Sequence, residues 1–136
     1  MSSFYYHNGL GNVGSYQVSA KPFLTSSLTV PATGSSPLEI SFDTVTRFVI
    51  ITNTLPGSET NVPMRFGFSV DGINGLENNN YAILNNGESF EAEFKIIKLY
   101  LLSDNTSECS ASVVAGLTAI DQELLTNNWS GSAGVG

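Results

Sequence analysis

Between Tyr16 and Ile120 the chain is cut into short stretches of β-branched and aromatic residues, each closed within a few positions by turn-forming residues. That rhythm leaves no room for a long helix and is the pattern of a sheet protein built from many short strands. The predicted strands are Tyr16 to Ala20, Ser26 to Val30, Leu38 to Phe42, Arg47 to Thr52, Met64 to Val70, Tyr81 to Leu84, Ser89 to Phe94, Lys98 to Leu102 and Ser110 to Ile120. Between them stand Pro31 to Pro37, Leu55-Pro56-Gly57-Ser58, Asp71-Gly72, Asn85-Asn86-Gly87 and Asp104-Asn105-Thr106. Each offers the fixed φ of proline or the positive φ that glycine and asparagine tolerate, as a reversal requires.

The strand texture predicts burial as well as position. In Met64 to Val70 the residues Met64, Phe66, Phe68 and Val70 fall on one face, and Phe90-Glu91-Ala92-Glu93-Phe94 repeats the alternation with its carboxylates outward. Such strands are buried on one side. Phe48-Val49-Ile50-Ile51 is apolar on both sides and is expected at the centre of a sheet or with one face against a neighbouring subunit. Tyr81 to Leu84, Asn85-Asn86-Gly87 and Ser89-Phe90 together predict a hairpin. Asp121 to Asn127 is the only helical candidate, with Asp121 as a cap. The expectation is an all-β protein: a two-sheet antiparallel sandwich, jelly-roll-like, occupying residues 16–121, with extended N- and C-terminal arms at 1–15 and 122–136.

A chain of 136 residues supports one hydrophobic core. Only 12% of its residues are charged, about half the share in an average domain. The surface is therefore coated with Ser, Thr, Asn and Gly, which leaves few charges to desolvate at a protein interface. Twelve acidic against five basic residues give a net charge of −7 with no cluster of cations, which argues against direct nucleic-acid binding. The first residues carry neither a basic nor an apolar leader segment, and no apolar run is long enough for a bilayer, so no membrane association is expected. A single cysteine, Cys109, fits synthesis in a reducing cytoplasm.

Catalytic chemistry finds few candidates. The one histidine, His7, lies in the glycine-rich N-terminal segment, where a triad has no fixed geometry. Cys109 follows Glu108 with no cation beside it to lower its pKa. One Cys and one His cannot furnish a zinc site. Asp71 to Glu77 places three oxygen-bearing side chains in a glycine-rich loop that an ion could use, although its spacing departs from the EF-hand. Glu91 and Glu93 read as solvated strand carboxylates in preference to a glycosidase pair. Gly9 to Gly14 spells G-x-G-x-x-G without the preceding strand and following helix that a dinucleotide site needs. Asn105-Thr106-Ser107 and Asn128-Trp129-Ser130 match the glycosylation sequon by composition alone. The chain is expected to be no enzyme and to use no cofactor and no metal.

Large aromatic side chains also stand at both ends, where a monomer has little use for them. Phe4, Tyr5, Tyr6 and Tyr16 lie at the start, and Trp129 lies in an otherwise linker-like Asn127 to Ser132. Tyr and Trp dominate interface hot spots because they bury much area with few rotors. These five residues are the expected partner-binding positions.

The opening Tyr5-Tyr6-His7-Asn8-Gly9-Leu10-Gly11-Asn12-Val13-Gly14-Ser15-Tyr16, continuing to Thr25, resembles the start of small virion structural proteins of tailed bacteriophages, notably those of marine bacteria and cyanobacteria. Leu117-Thr118-Ala119-Ile120-Asp121 before a Gly/Ser-rich end is similar too. The resemblance implies a particle component located on the virion, of the capsid decoration or cement kind, whose partner is the major capsid protein or another virion protein; self-association as a dimer or trimer is expected separately, from the Phe48 to Ile51 run packing between subunits. A tail or collar component and a glycan- or receptor-binding module are the alternatives.

Overall fold

The computed structural model describes residues 21–75 and 79–121, and within them nine strands and one short helix. The strands are β1 (Lys21–Leu24), β2 (Leu28–Val30), β3 (Leu38–Ser41), β4 (Thr44–Asn53), β5 (Met64–Gly67), β6 (Tyr81–Leu84), β7 (Ser89–Ala92), β8 (Lys98–Ser103) and β9 (Cys109–Asp121). A helix, α1 (Val70–Asn74), lies between β5 and β6. One sheet runs β1-β9-β4-β7 with β2 also on β9; the other runs β3-β8-β5-β6.

Every pairing is antiparallel, and the order has a simple generator. β1 and β2 pair with β9, β3 with β8, β4 with β7 and β5 with β6, as in one long two-stranded ribbon folded back on itself. Wrapping that ribbon brings β4 against β9 and β5 against β8, which closes the two sheets. This is the jelly-roll arrangement. β1 and β2 are one interrupted strand: Ser27 takes a positive φ of 55°, and the Thr25 hydroxyl accepts from Val113 N–H at 3.0 Å where the ladder breaks.

The core fills the space between the sheets. Val49, Ile51, Val113 and Ala115 point inward from one sheet, and Ile40, Met64, Leu99 and Leu101 from the other. β4 is central, as its doubly apolar Phe48 to Ile51 run predicts: Val49 and Ile51 are buried, while Phe48 and Ile50 face outward and are partly exposed. Among the described residues the buried polar side-chain atoms are partnered, except Thr44 Oγ1. Asn53 Nδ2 donates to the carbonyls of Val62 and Leu84, both at 3.1 Å, and its Oδ1 accepts from Leu55 N–H. Where the β4–β9 register shifts between Thr44 and Phe48, the Thr118 hydroxyl donates to Val45 O at 2.7 Å and Thr46 ties the strand to Phe94 and Ile96.

Three local expectations are corrected. Tyr81 to Phe90 is not a hairpin: β6 and β7 belong to different sheets, and Asn85 to Glu88 carries the chain across the sandwich. Met64 to Val70 is not one strand either. β5 stops at Gly67, and Val70 opens α1 with 43% exposure. Asp71-Gly72 is thus helix, not a bare turn, and the strand Lys21–Leu24 lies where no strand was predicted. Asp121 is the last residue of β9; the rest of the helical candidate, and the Tyr16 to Ala20 strand, lie outside the described residues.

The polarity of the sandwich follows from the pairings. Lys21 stands opposite Leu117 and Thr44 opposite Asp121, so the chain enters and leaves the sandwich at the same end. The 31–37, 54–63, 85–88 and 104–108 connections occupy the other.

Candidate docking surfaces and an outer cleft

Phe4, Tyr5, Tyr6, Tyr16 and Trp129, the partner-binding residues predicted from the sequence, lie outside the described residues. So does His7, and so does Glu77 of the suggested ion loop; Asp71 and Asn74 are helical. Among the described residues no three His, Cys, Asp or Glu side chains come together as a metal would require. No helix among them is long and apolar enough to cross a membrane.

Cys109 is buried, and that burial pushes its thiol up to about 11. A thiol held protonated is a poor nucleophile. Glu91 is exposed on β7, as its alternation predicts.

Three surfaces stand out. The first is the outer face of the five-stranded sheet. Leu24 opposes Val114, Val114 opposes Ile50, and Phe48 lies one step along opposite Gly116, which itself opposes Pro22. Their inward neighbours Val49, Ile51, Val113 and Ala115 are buried, so strand alternation turns this row to the outside. Leu24 is 71% exposed. An antiparallel sheet with one solvated face ordinarily carries polar residues there, and the same face is polar further along, where Thr52 opposes both Ser89 and Ser112.

The second surface is an aromatic slot of about 340 Å³ between the free edges of β6 and β7. Phe66 and Phe90 lie with ring centroids 4.9 Å apart, Phe90 and Phe94 stack at 6.0 Å, and Phe68 meets Phe94 edge-on at 5.6 Å. These spacings are those of favourable aromatic pairs. Phe66 and Phe90 are strand residues whose side chains face inward, so the slot is an extension of the core toward the edge.

The third is a cleft of about 640 Å³ on the outer face of the four-stranded sheet. Tyr100 and Leu102 of β8 form its floor, the 33–37 segment one wall, and Val70 and Asn74 of α1 the other. Both walls are fastened. Thr33 N–H donates to Asn105 O at 2.9 Å and its hydroxyl to Ser103 O at 2.8 Å. On the other side Ser69 caps α1 by accepting from Gly72 N–H at 3.1 Å. A side chain at Gly72 would meet Ser69 Oγ at 2.6 Å, so only glycine allows this close approach. Arg65 completes the clamp: Nη1 donates to Ile73 O at 2.9 Å, Nε pairs with Asp104 Oδ1 at 2.6 Å, and the guanidinium sits 4.4 Å from the Tyr81 ring centre.

Within the cleft the Tyr100 hydroxyl donates to Glu39 Oε1 at 3.3 Å, and Lys98 Nζ lies 3.5 Å from the same oxygen. Burial, and then the Glu39 carboxylate, raise the Tyr100 phenol above its ordinary pKa. None of this arrangement is visible in the sequence, because Tyr100, Glu39 and Asn74 come from three elements and share no motif. The nearest signal is Ser69-x-Asp71 with Gly75 four residues on, an N-cap, a first-turn acid and a C-cap that mark a one-turn helix.

No protein-family model, curated protein or solved structure matches the chain.

Proposed function

We propose that the protein is a non-catalytic assembly component that docks onto other protein subunits through the outer face of its five-stranded sheet. The observation that carries this reading is the row Leu24, Val114, Ile50 and Phe48, an apolar strip on the one sheet face that a self-sufficient sandwich would make polar. The jelly roll supplies a rigid plate behind it. The low share of charged residues supports the same role, since little charge is desolvated when such a surface is covered.

The resemblance of residues 5–25 to small phage virion proteins extends the proposal to a destination. We take the chain to be a capsid decoration or cement protein seated on the major capsid lattice, with the aromatic residues Phe4, Tyr5, Tyr6, Tyr16 and Trp129 reaching neighbouring subunits.

The experiment is to locate and count the chain in particles purified from its source. Many copies over the capsid surface are expected; absence from the particle, or a few copies confined to a tail tip, would overturn the capsid assignment. In reconstituted binding, the Leu24→Lys/Ile50→Lys double variant should attach at least about tenfold more weakly, which is about 1.4 kcal/mol. Its thermal midpoint should stay near that of the parent, because both side chains are on the outer face. Undiminished attachment by that variant would rule out this face as the contact.

A further inference from the structure

The outer cleft has properties that the docking role does not use. Its floor is the Tyr100 ring beside Leu102, and its two walls are held by Thr33, Ser69 and Arg65, so the cavity is shaped before anything enters it. At about 640 Å³ it falls within the size range of small-ligand sites, roughly 300–1,000 Å³. Its charges cancel: Glu39 is paired with Lys98, which leaves no net cation for an anionic ligand and no net anion for a metal.

Unspent hydrogen-bonding groups remain at the rim. Among the described residues, the Asn74 amide and the hydroxyls of Ser35 and Ser36 have no hydrogen-bond partner, and Glu39 Oε2 is unengaged while Oε1 accepts from Tyr100. Apolar surface lies next to them in Val70, 43% exposed, and in Pro37. A matching ligand is uncharged, carries several hydroxyls that both donate and accept, and has one face of C–H groups to lie on an aromatic ring. Those are the features of a neutral sugar ring.

We propose that this cleft binds a neutral monosaccharide unit, the terminal residue of a surface glycan, with Tyr100 under its apolar face and Glu39 and Asn74 engaging its hydroxyls. The site is separate from the apolar strip, on the opposite sheet, so either assignment stands without the other.

The test is saturation-transfer NMR and titration of the full chain with the methyl glycosides of glucose, galactose, mannose and N-acetylglucosamine, with sialyllactose as the anionic control. At least one neutral glycoside is expected to bind with Kd of about 1 mM, the weak affinity of a single ring. Asn74→Ala and Glu39→Gln should each weaken it fivefold or more, and Tyr100→Phe should weaken it less than Tyr100→Ala. Amide chemical shifts should show each variant folded. The proposal is overturned if no neutral glycoside binds at about ten times that concentration, if sialyllactose binds in preference, or if binding survives both Asn74→Ala and Glu39→Gln. Particle attachment measured on the same variants should not change, which separates failure at this cleft from failure of the docking assignment.

Discussion

Asn53 shows how this chain uses polar residues inside a small core. Its side chain is buried, and its three hydrogen bonds join β4 to the carbonyls of Val62 and Leu84 and to Leu55 N–H. Replacing it by alanine strands those groups away from water. Asn53→Ala should therefore cost about 2–3 kcal/mol in urea unfolding, more than an exposed asparagine such as Asn61. Asn86 does related work at the surface, accepting from Val62 N–H at 2.9 Å and donating to Thr60 O at 3.0 Å, so the long 54–63 connection is stapled to the crossover between the sheets. The abundance of asparagine, which in the sequence reads only as turn chemistry and polarity, is in part this stapling.

Cys109 makes a residue-scale prediction about pH. Burial raises its folded pKa from 9.0 to about 11, whereas in the unfolded chain it titrates near the ordinary value. The native state thus holds the proton longer, and the stability this contributes is complete below about pH 9 and is lost as pH rises through about 11. Between those values Cys109→Ala should lose less stability than the parent in denaturant titrations, and the parent thiol should react with a disulfide reagent only as fast as the protein unfolds.

At the scale of elements, α1 is held by few contacts and should be easily tested. Ser69→Ala removes its cap and should cost about 1 kcal/mol. Gly72→Ala should cost more, because the added carbon meets Ser69 Oγ at 2.6 Å and Asn80 Cβ at 3.0 Å. An unchanged thermal midpoint for Gly72→Ala would contradict the close approach of α1 to Ser69 and Asn80.

The elements also show what the sequence discloses. β4 and β9 were legible because their runs are long and rich in β-branched residues, but which face of Phe48 to Ile51 turns inward was not, since that run is apolar on both sides. The ends of β5 were not. Phe68 and Val70 continue the alternating pattern past Gly67, and the capping signal at Ser69 lies inside a run that looks like strand. β1 was missed because Pro22 argues against pairing, yet on an edge strand proline is tolerated. The β6–β7 turn has hairpin chemistry, with Gly87 at φ 78°, but partners are chosen by burial at long range. In the wrapped ribbon β7 covers the edge of β4 instead of lengthening the other sheet.

For the whole molecule, the wrapped ribbon joins residues far apart in sequence: β1 meets β9 and β3 meets β8. Closing such loops costs entropy before the contacts repay it, so folding should be slow for a protein of this size, in the range of milliseconds to seconds. Stopped-flow refolding followed by aromatic fluorescence would check this, and a phase complete within microseconds would contradict it. The two broad faces of the sandwich carry different surfaces, an apolar strip on one and a cleft with paired charges on the other. The fold by itself was largely legible from strand spacing, but neither surface was. Each depends on which residues of separate strands come to stand side by side.

Lys21 and Asp121 lie at one pole of the sandwich, which makes the loops of the other pole a natural display platform. β9 carries the chain ~40 Å from that shared pole to Cys109, at about 3.3 Å per residue over its 13 residues. A peptide grafted into the adjoining 104–108 connection, for instance between Ser107 and Glu108, would be presented on the side of the sandwich opposite Lys21 and Asp121.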